Sequence, residues 1–276
     1  MPKDDATLSA ASVGSLPLDQ IICGDNCEVM RQMPSESIDL VVTSPPYDDL
    51  RTYGGHSWDF YGVAWNLKRL LKPGGVIVWV VADATKDGSE TLSSMTQAIH
   101  FRSIGLNVHD TMVYQKANYA PYYPGTHRYA GVWEYAFVLS SGKPKSFNPI
   151  QWPKAASTFA RYGSPTSYIR RDGSRKKKIV DASHRQTKDA HNVWVYATGN
   201  EKNGHPAPYP SLLARDHILS WSNPGDVVLD PFSGSGTTAK MARETGRRFI
   251  GIEVNPEYVE ISRKRLAQQA LPMDVA

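Results

Sequence analysis

The sequence predicts an α/β domain built on a mostly parallel sheet, and three observations carry that prediction. Short apolar runs alternate with segments of helical periodicity along most of the chain. One run, Val76–Val81, is continuous, β-branched and carries a single Trp, as in a strand covered on both faces. Near the C-terminus a strand, a Gly-rich turn, a helix and a second strand ending in an acid follow one another, an order that parallel sheets use.

Taken in order, the first eighteen residues are small, polar and aperiodic and read as an arm. Gln20–Cys23 reads as a strand, and Asn26–Met33 as a helical segment with Asp25 as its N-cap. Asp39–Val42 forms a short buried strand that ends at Thr43 and runs into Ser44-Pro45-Pro46-Tyr47. Each proline fixes its own φ, and each pushes the residue before it away from helical geometry, so this turn is stiff. The stretch 48–56 is polar with Gly54-Gly55 and reads as a loop. Trp58–Leu71 places Phe60, Val63, Ala64, Leu67, Leu70 and Leu71 on one helical face, and Lys72-Pro-Gly-Gly75 ends it. After the strand Val76–Val81 come a helix over about 89–104, a strand around Val108–Gln115, and another over Val132–Leu139. Pro210–Trp221 is helical in pattern, Val227–Asp230 a buried strand, and Pro231–Thr238 the Gly-rich loop. Ala239–Glu244 begins a helix, Phe249–Glu253 is the next strand, and Asn255–Gln269 the last helix, with Pro256 at its first position.

Periodicity fades between about Lys143 and Asn192. Nine basic residues lie between Arg161 and Ala190: Arg161, Arg170, Arg171, Arg175, Lys176, Lys177, Lys178, Arg185 and Lys188. Only three acids oppose them, a local charge of +6 against +4 for all 276 residues. Tyr162, Tyr168 and Asn192 are interleaved. Phosphate-facing surfaces combine groups in this way, although a solvated basic loop is the plainer alternative. The expected organisation is an arm over 1–18, a catalytic half over 19–142, an insertion over 143–192 and a cofactor-binding half over 193–276. Two cysteines exclude a disulfide scaffold and, with no neighbouring His or Cys, give no metal site. No apolar run approaches membrane-spanning length and no secretion signal is evident, so a cytoplasmic protein is expected.

The Gly-rich loop lacks the lysine of a phosphate-binding P-loop, and Gly234-Ser-Gly236 has no third Gly three residues on. Asp230, just before it, would repel a pyrophosphate and suit a cationic ligand. Glu253, at the end of the next strand, suits a pair of ribose hydroxyls. S-adenosylmethionine has an ammonium, a sulfonium and a ribose but no phosphate, and it meets both conditions.

Thr43-Ser-Pro-Pro-Tyr47 and Asp230-Pro-Phe-Ser-Gly-Ser-Gly-Thr-Thr238 together resemble the DNA amino-methyltransferases, which methylate the exocyclic nitrogen of cytosine or adenine. The Pro-Pro motif comes first, the circularly permuted order of that family's beta class. Gly24-Asp25, Leu71-Lys-Pro-Gly-Gly75 and His205-Pro-Ala-Pro-Tyr-Pro210 add to the likeness, which spans nearly the whole ordered chain. The resemblance implies a Rossmann-like S-adenosylmethionine-dependent methyltransferase fold. Its sheet would have seven strands, one of them antiparallel, and the insertion after Val132 would recognise the target. It further implies that Asp230, Phe232, Gly234 and Gly236 border the methionine part of the cofactor, with Thr43, Ser233, Ser235 and Thr237 close by. Glu253 would hold the ribose, Asp25 the adenine amino group, and Pro208 would close over the cofactor. Double-stranded DNA is the implied partner, and a homodimer and a cognate restriction endonuclease are compatible with the class.

An exocyclic amino nitrogen is a poor nucleophile because its lone pair is delocalised into the ring. Acceptors for its N–H bonds stabilise the positive charge that grows in attack. The Ser44 side chain and the Pro45 carbonyl, held by Pro46, are the candidate acceptors, with Tyr47 stacking on an extruded base. Carbon methylation of cytosine needs a thiolate following proline-rich sequence, and neither Cys23 nor Cys27 follows a Pro. Ser before Pro-Pro is typical of cytosine-N4 enzymes of the family and Asp of most adenine-N6 enzymes. Cytosine N4 is therefore the expected target and adenine N6 the alternative, with an RNA methyltransferase and a catalytically silent DNA-binding protein behind them.

Overall fold

The computed structural model describes residues 15–46, 58–118, 127–153, 165–169, 174–179, 187–197 and 210–268, and only the backbone of 153, 165–169 and 175–179. Tyr47, Arg161, Arg170, Arg171 and Pro208 lie outside the described residues, as does the expected loop at 48–56. The described elements divide into two units, one of residues 1–148 with 192–276 and one of Pro149–His191.

In the first unit, β1 (Gln20–Cys23) leads into α1 (Asn26–Arg31) and β2 (Ile38–Thr43). Next come α2 (Phe60–Leu70), β3 (Leu71–Val81), the short strands β4 (Thr85–Lys86) and β5 (Ser89–Glu90), and α3 (Ser93–Ser103). β6 (Asn107–Lys116) and β7 (Trp133–Ser140) close the first half. The second unit holds β8 (Gln151–Pro153), β9 (Pro165–Ile169), β10 (Arg175–Ile179) and β11 (Thr187–Asp189). β9 and β10 form one antiparallel pair and β8 and β11 another, so the backbone of Arg175, Lys176, Lys177 and Lys178 is strand. β12 (Val193–Tyr196), α4 (Ser211–Trp221), β13 (Val227–Asp230), α5 (Thr237–Glu244), β14 (Arg248–Glu253) and α6 (Pro256–Ala267) complete the first unit.

Eight strands form the main sheet in the order β1-β14-β13-β2-β3-β7-β6-β12. Only β7 runs against its neighbours, β3 and β6. The sheet is thus mostly parallel with one antiparallel strand, as expected, and β12 adds an eighth strand beyond the seven implied. Its four residues bond in parallel to Val113–Lys116 at the free edge of β6. Alternation splits the strands between two faces. Val41, Ile77, Trp79, Phe137, Leu229 and Ile252 join α1, α2 and α3 in one core, while Leu40, Val78, Val80 and Val138 are buried on the other side.

β3 begins at Leu71, so Lys72–Gly75, expected to end the helix, is strand instead; local signals explain two further differences. α2 begins at Phe60 rather than Trp58 because the Asp59 side chain accepts the Gly62 N–H at 3.0 Å and caps it. The expected helix from Ser89 begins only at Ser93, because Asp87 and Gly88, at φ 49° and 80°, turn β4 back on β5. Asp-Gly between short strands is the signal for that turn.

A buried ion cluster locks the amino end of β2. Asp39 is 2% exposed. Its Oδ2 accepts from Lys72 Nζ at 2.8 Å and from the Val227 N–H at 2.9 Å, and its Oδ1 accepts from Lys145 Nζ. Burial alone would raise the Asp39 pKa. The bonds from Lys145, Lys72 and Val227 outweigh it and hold the carboxyl below its ordinary value of 3.8. A carboxylate with a depressed folded pKa stabilises the protein above its unfolded pKa, and that stability is lost as pH falls through the folded pKa. Asp39→Asn is therefore expected to cost about 1–3 kcal/mol at neutral pH, the lower end reflecting lysines that can turn to water. Urea unfolding should show the wild-type advantage shrinking below pH 3.8.

Candidate active site

The loops that follow β1, β14, β13 and β2 all leave one rim of the sheet, because these four strands are parallel and adjacent. From β13 the chain moves through α5 to β14 on one side, and from β2 through α2 to β3 on the other. The crevice between β13 and β2 is thus a topological switch point, where open α/β sheets bind ligands. Thr43 and Asp230 meet there. Thr43 Oγ1 donates to Asp230 Oδ1 at 2.6 Å, with both residues buried, and the Phe232 N–H donates to the same oxygen at 3.1 Å. Thr238, on α5, donates its hydroxyl to the Val42 carbonyl at 3.1 Å. Two segments 187 positions apart in sequence are stitched into one corner. Ser44, Pro45 and Pro46 continue from it, Pro45 buried and the other two half-buried.

Desolvation pushes the Asp230 carboxyl up to about 6, against the hydrogen bonds from Thr43, Thr238 and the Phe232 N–H. Such a group gains from a cation placed beside it.

The Gly-rich loop is held from behind by α6. Ser262 Oγ donates to the Gly234 carbonyl at 2.7 Å, and Arg265 Nη1 donates to the Ser235 carbonyl at 2.6 Å and the Ser235 hydroxyl at 2.9 Å. Arg265 also reaches Thr237 Oγ1 at 3.4 Å, so the Ser235 and Thr237 side chains are engaged toward α6. Gly236 sits at φ 79°, and a Cβ there would come 3.0 Å from Ser262 Oγ, so both conformation and space require glycine. Ser233 Oγ is buried with no hydrogen-bond partner among the described residues.

Glu253 closes the other side. Its Oε2 accepts the Gly234 N–H at 2.8 Å and its Oε1 the Asn255 N–H at 2.9 Å. Each carboxylate oxygen has room for further donors, which suits a pair of ribose hydroxyls. Asp25 caps α1 by accepting the Glu28 N–H at 2.9 Å, and the Asn26 side chain beside it donates to the Pro231 carbonyl at 3.2 Å. The rim therefore brings together Asp25, Thr43–Pro46, Asp230–Thr237 and Glu253. An acidic switch point, paired carboxylate oxygens and a glycine-lined loop with an unsatisfied buried hydroxyl fit a cationic, ribose-bearing ligand.

Sequence reasoning missed Arg265 and Ser262, whose signal was only their place on one face of the last helix. It also missed Trp58, whose ring packs edge-on to Phe232. Among the described residues no group of three His, Cys, Asp or Glu could hold a metal, and no helix is long and apolar enough to cross a membrane. Burial, with Asp25 and Asp59 close by, raises the Cys27 thiol to about 11, which leaves it a poor nucleophile.

Comparison with known proteins extends these observations. A family model described as DNA methylase, covering N6- and N4-methyltransferases, matches residues 38–264. The orphan methyltransferase M.BamHII of Bacillus amyloliquefaciens is 44% identical over 237 residues, 83% of this chain and 89% of that protein. The DNA adenine methyltransferase YhdJ of Escherichia coli K12 is 29% identical over 89% of this chain and 82% of its own length. Among solved structures, a protein of Thermus thermophilus described as a putative DNA modification methylase, complexed with S-adenosyl-L-methionine, superposes with a TM-score of 0.58. It is 27% identical, over 90% of this chain and 94% of that one.

Proposed function

This chain belongs to the DNA methylase family of N6- and N4-amino-methyltransferases, and from that premise we propose that it methylates cytosine N4 in duplex DNA. The methyl donor is S-adenosylmethionine and the target base is extruded from the helix. The observation that carries the reading is the Thr43–Asp230 hydrogen bond at the switch point, which sets Ser44-Pro45-Pro46 beside the Gly-rich loop. Asp230, Phe232, Gly234 and Gly236 hold the methionine part of the donor, Glu253 the ribose, and Asp25 and Pro208 the remainder. Bound there, S-adenosylmethionine supplies a methyl carbon made electrophilic by its sulfonium.

The protein's own work is positioning and polarisation. The Ser44 hydroxyl and the Pro45 carbonyl accept the two N–H bonds of the target amino group and stabilise the charge that grows on its nitrogen. Pro45 and Pro46 keep that corner from relaxing, since neither can rotate about φ. Tyr47 stacks on the base. In the insertion, Arg161, Arg170, Arg171, Arg175 and Lys176–Lys178 contact phosphates, so DNA affinity falls with added salt.

Adenine N6 is the second reading, favoured by the likeness to YhdJ, which is named an adenine methyltransferase. The same acceptors serve either base. Ser44 supports cytosine, because the family's adenine enzymes mostly carry Asp there. Mass spectrometry of nucleosides from DNA methylated by the chain decides: N4-methyldeoxycytidine is the expected product. N6-methyldeoxyadenosine would reassign the base, and unmodified DNA would remove the enzymatic reading.

A further inference from the structure

Across 231–238 every residue is buried except Phe232, which is half-buried and packs against the core. What fixes that ring is not the loop itself. Trp58 lies against it with ring centroids 4.9 Å apart and planes at 79°, an edge-to-face pair. Trp79 lies further off, at 6.3 Å and 76°. Trp58 is itself held between Phe60, at 5.9 Å, and Trp79, at 6.2 Å. Behind these, Trp79 is fully buried and donates its indole N–H to Gln97 Oε1 at 2.8 Å. A chain of edge-on and tilted ring contacts therefore runs from the core between β3 and α3 to the loop, and Trp58 makes the nearest ring contact to Phe232.

We propose that Trp58 is a positioning residue of the cofactor site, setting the Phe232 ring in the orientation that accepts S-adenosylmethionine. The proposal rests on the reading of this site as a methyltransferase site. Trp58 acts through Phe232, by removing rotamers in which the ring would fall across the loop or turn away from it. Its loss weakens donor binding and leaves the amino-group acceptors at Ser44 and Pro45 untouched, since these are fixed through Thr43 and Asp230. Edge-to-face pairs reward geometry as well as contact area, so a smaller ring retains part of the effect and a methyl group none.

The test uses the full chain and calorimetric binding of S-adenosylmethionine and of its product S-adenosylhomocysteine. Trp58→Ala is expected to raise both dissociation constants about tenfold, with turnover at saturating donor within about twofold. Trp58→Phe is expected to recover binding to within about threefold of wild type. Leu139→Ala is the control. Leu139 is fully buried in the same core and carries no ring, so its loss lowers the melting temperature without moving donor affinity. If Trp58→Ala binds normally, or Leu139→Ala loses affinity to the same degree, Trp58 is merely structural and the proposal falls. Should Trp58→Ala not fold, Trp58→Phe decides through fluorescence: the ligand-induced change in tryptophan emission must shrink, and an undiminished change overturns the proposal. A wild-type chain that binds neither ligand would sink the functional reading itself, a result separable from any failure of Trp58.

Discussion

Ser44→Ala is expected to lower the rate of methyl transfer at saturating DNA and donor about 10- to 100-fold, with the KM for S-adenosylmethionine within about twofold of wild type. The size follows from what is removed. Of two proposed acceptors for the target amino group, the Pro45 carbonyl belongs to the backbone and survives the substitution. The hydroxyl is the weaker acceptor, so its loss should fall short of the roughly thousandfold upper range for a single preorganised partner. The split between turnover and KM follows from position. Ser44 is half-buried at the end of β2, whereas the donor's proposed contacts come from Asp230–Gly236 and Glu253 on other strands. An interaction made only as charge develops on nitrogen changes kcat and leaves ground-state donor binding alone. Single-turnover methylation with labelled donor, beside a binding titration, separates the two quantities. Equal losses in both would mean that Ser44 shapes the donor pocket instead of the acceptor corner.

Much of this site is legible in the chain because its parts are local. Asp230-Pro-Phe-Ser-Gly-Ser-Gly names a strand end, a turn and a helix start within a few residues, and Gly236 at φ 79° is a position only glycine fills at ease. Asp25 lies at a helix start by its own residue type, and β1 has the bounds that its apolar run suggests. What escaped was set by contacts distant in sequence. Trp58 looks like the first turn of a helix, and only the folded chain brings it to Phe232. Lys72 and Lys145 carry no sign that both end on Asp39. β12 was missed because Val193-Trp-Val-Tyr196 is four residues long and takes its place from the open edge of β6. Asp87-Gly88 carries a turn signal in the chain, but the strand after it, Ser89–Glu90, falls within the span expected to be helix.

Asp230→Asn is expected to do two opposite things, and the opposition is the test. In the free protein, burial holds the carboxyl at about 6, well above its ordinary value of 3.8. A raised pKa on an acid means that folding disfavours the charge. Between the unfolded and folded values the native state binds more protons, so this group's contribution to stability declines as pH rises from about 4 to about 6. Above that window the charge is a standing cost, and a neutral amide of the same shape relieves it: Oδ1 still accepts from Thr43 and the Phe232 N–H, and only the weaker bond from Thr238 is given up. The ligand-free variant should therefore be about 1–2 kcal/mol more stable than wild type at pH 7.5, with the gain vanishing near pH 4. Donor affinity should move the other way. A cationic ligand recovers the cost of the buried carboxylate, so the variant is expected to bind S-adenosylmethionine about 30- to 100-fold more weakly at pH 7.5. Wild-type affinity should itself fall as pH drops through about 6, where Asp230 takes up its proton, and the variant should show no such fall. Melting curves with and without donor across that range give both signs at once. A variant that is less stable and binds as tightly as wild type would make Asp230 a purely structural strand end. The opposite signs would show a site that gives up stability when empty and recovers it when its cation arrives.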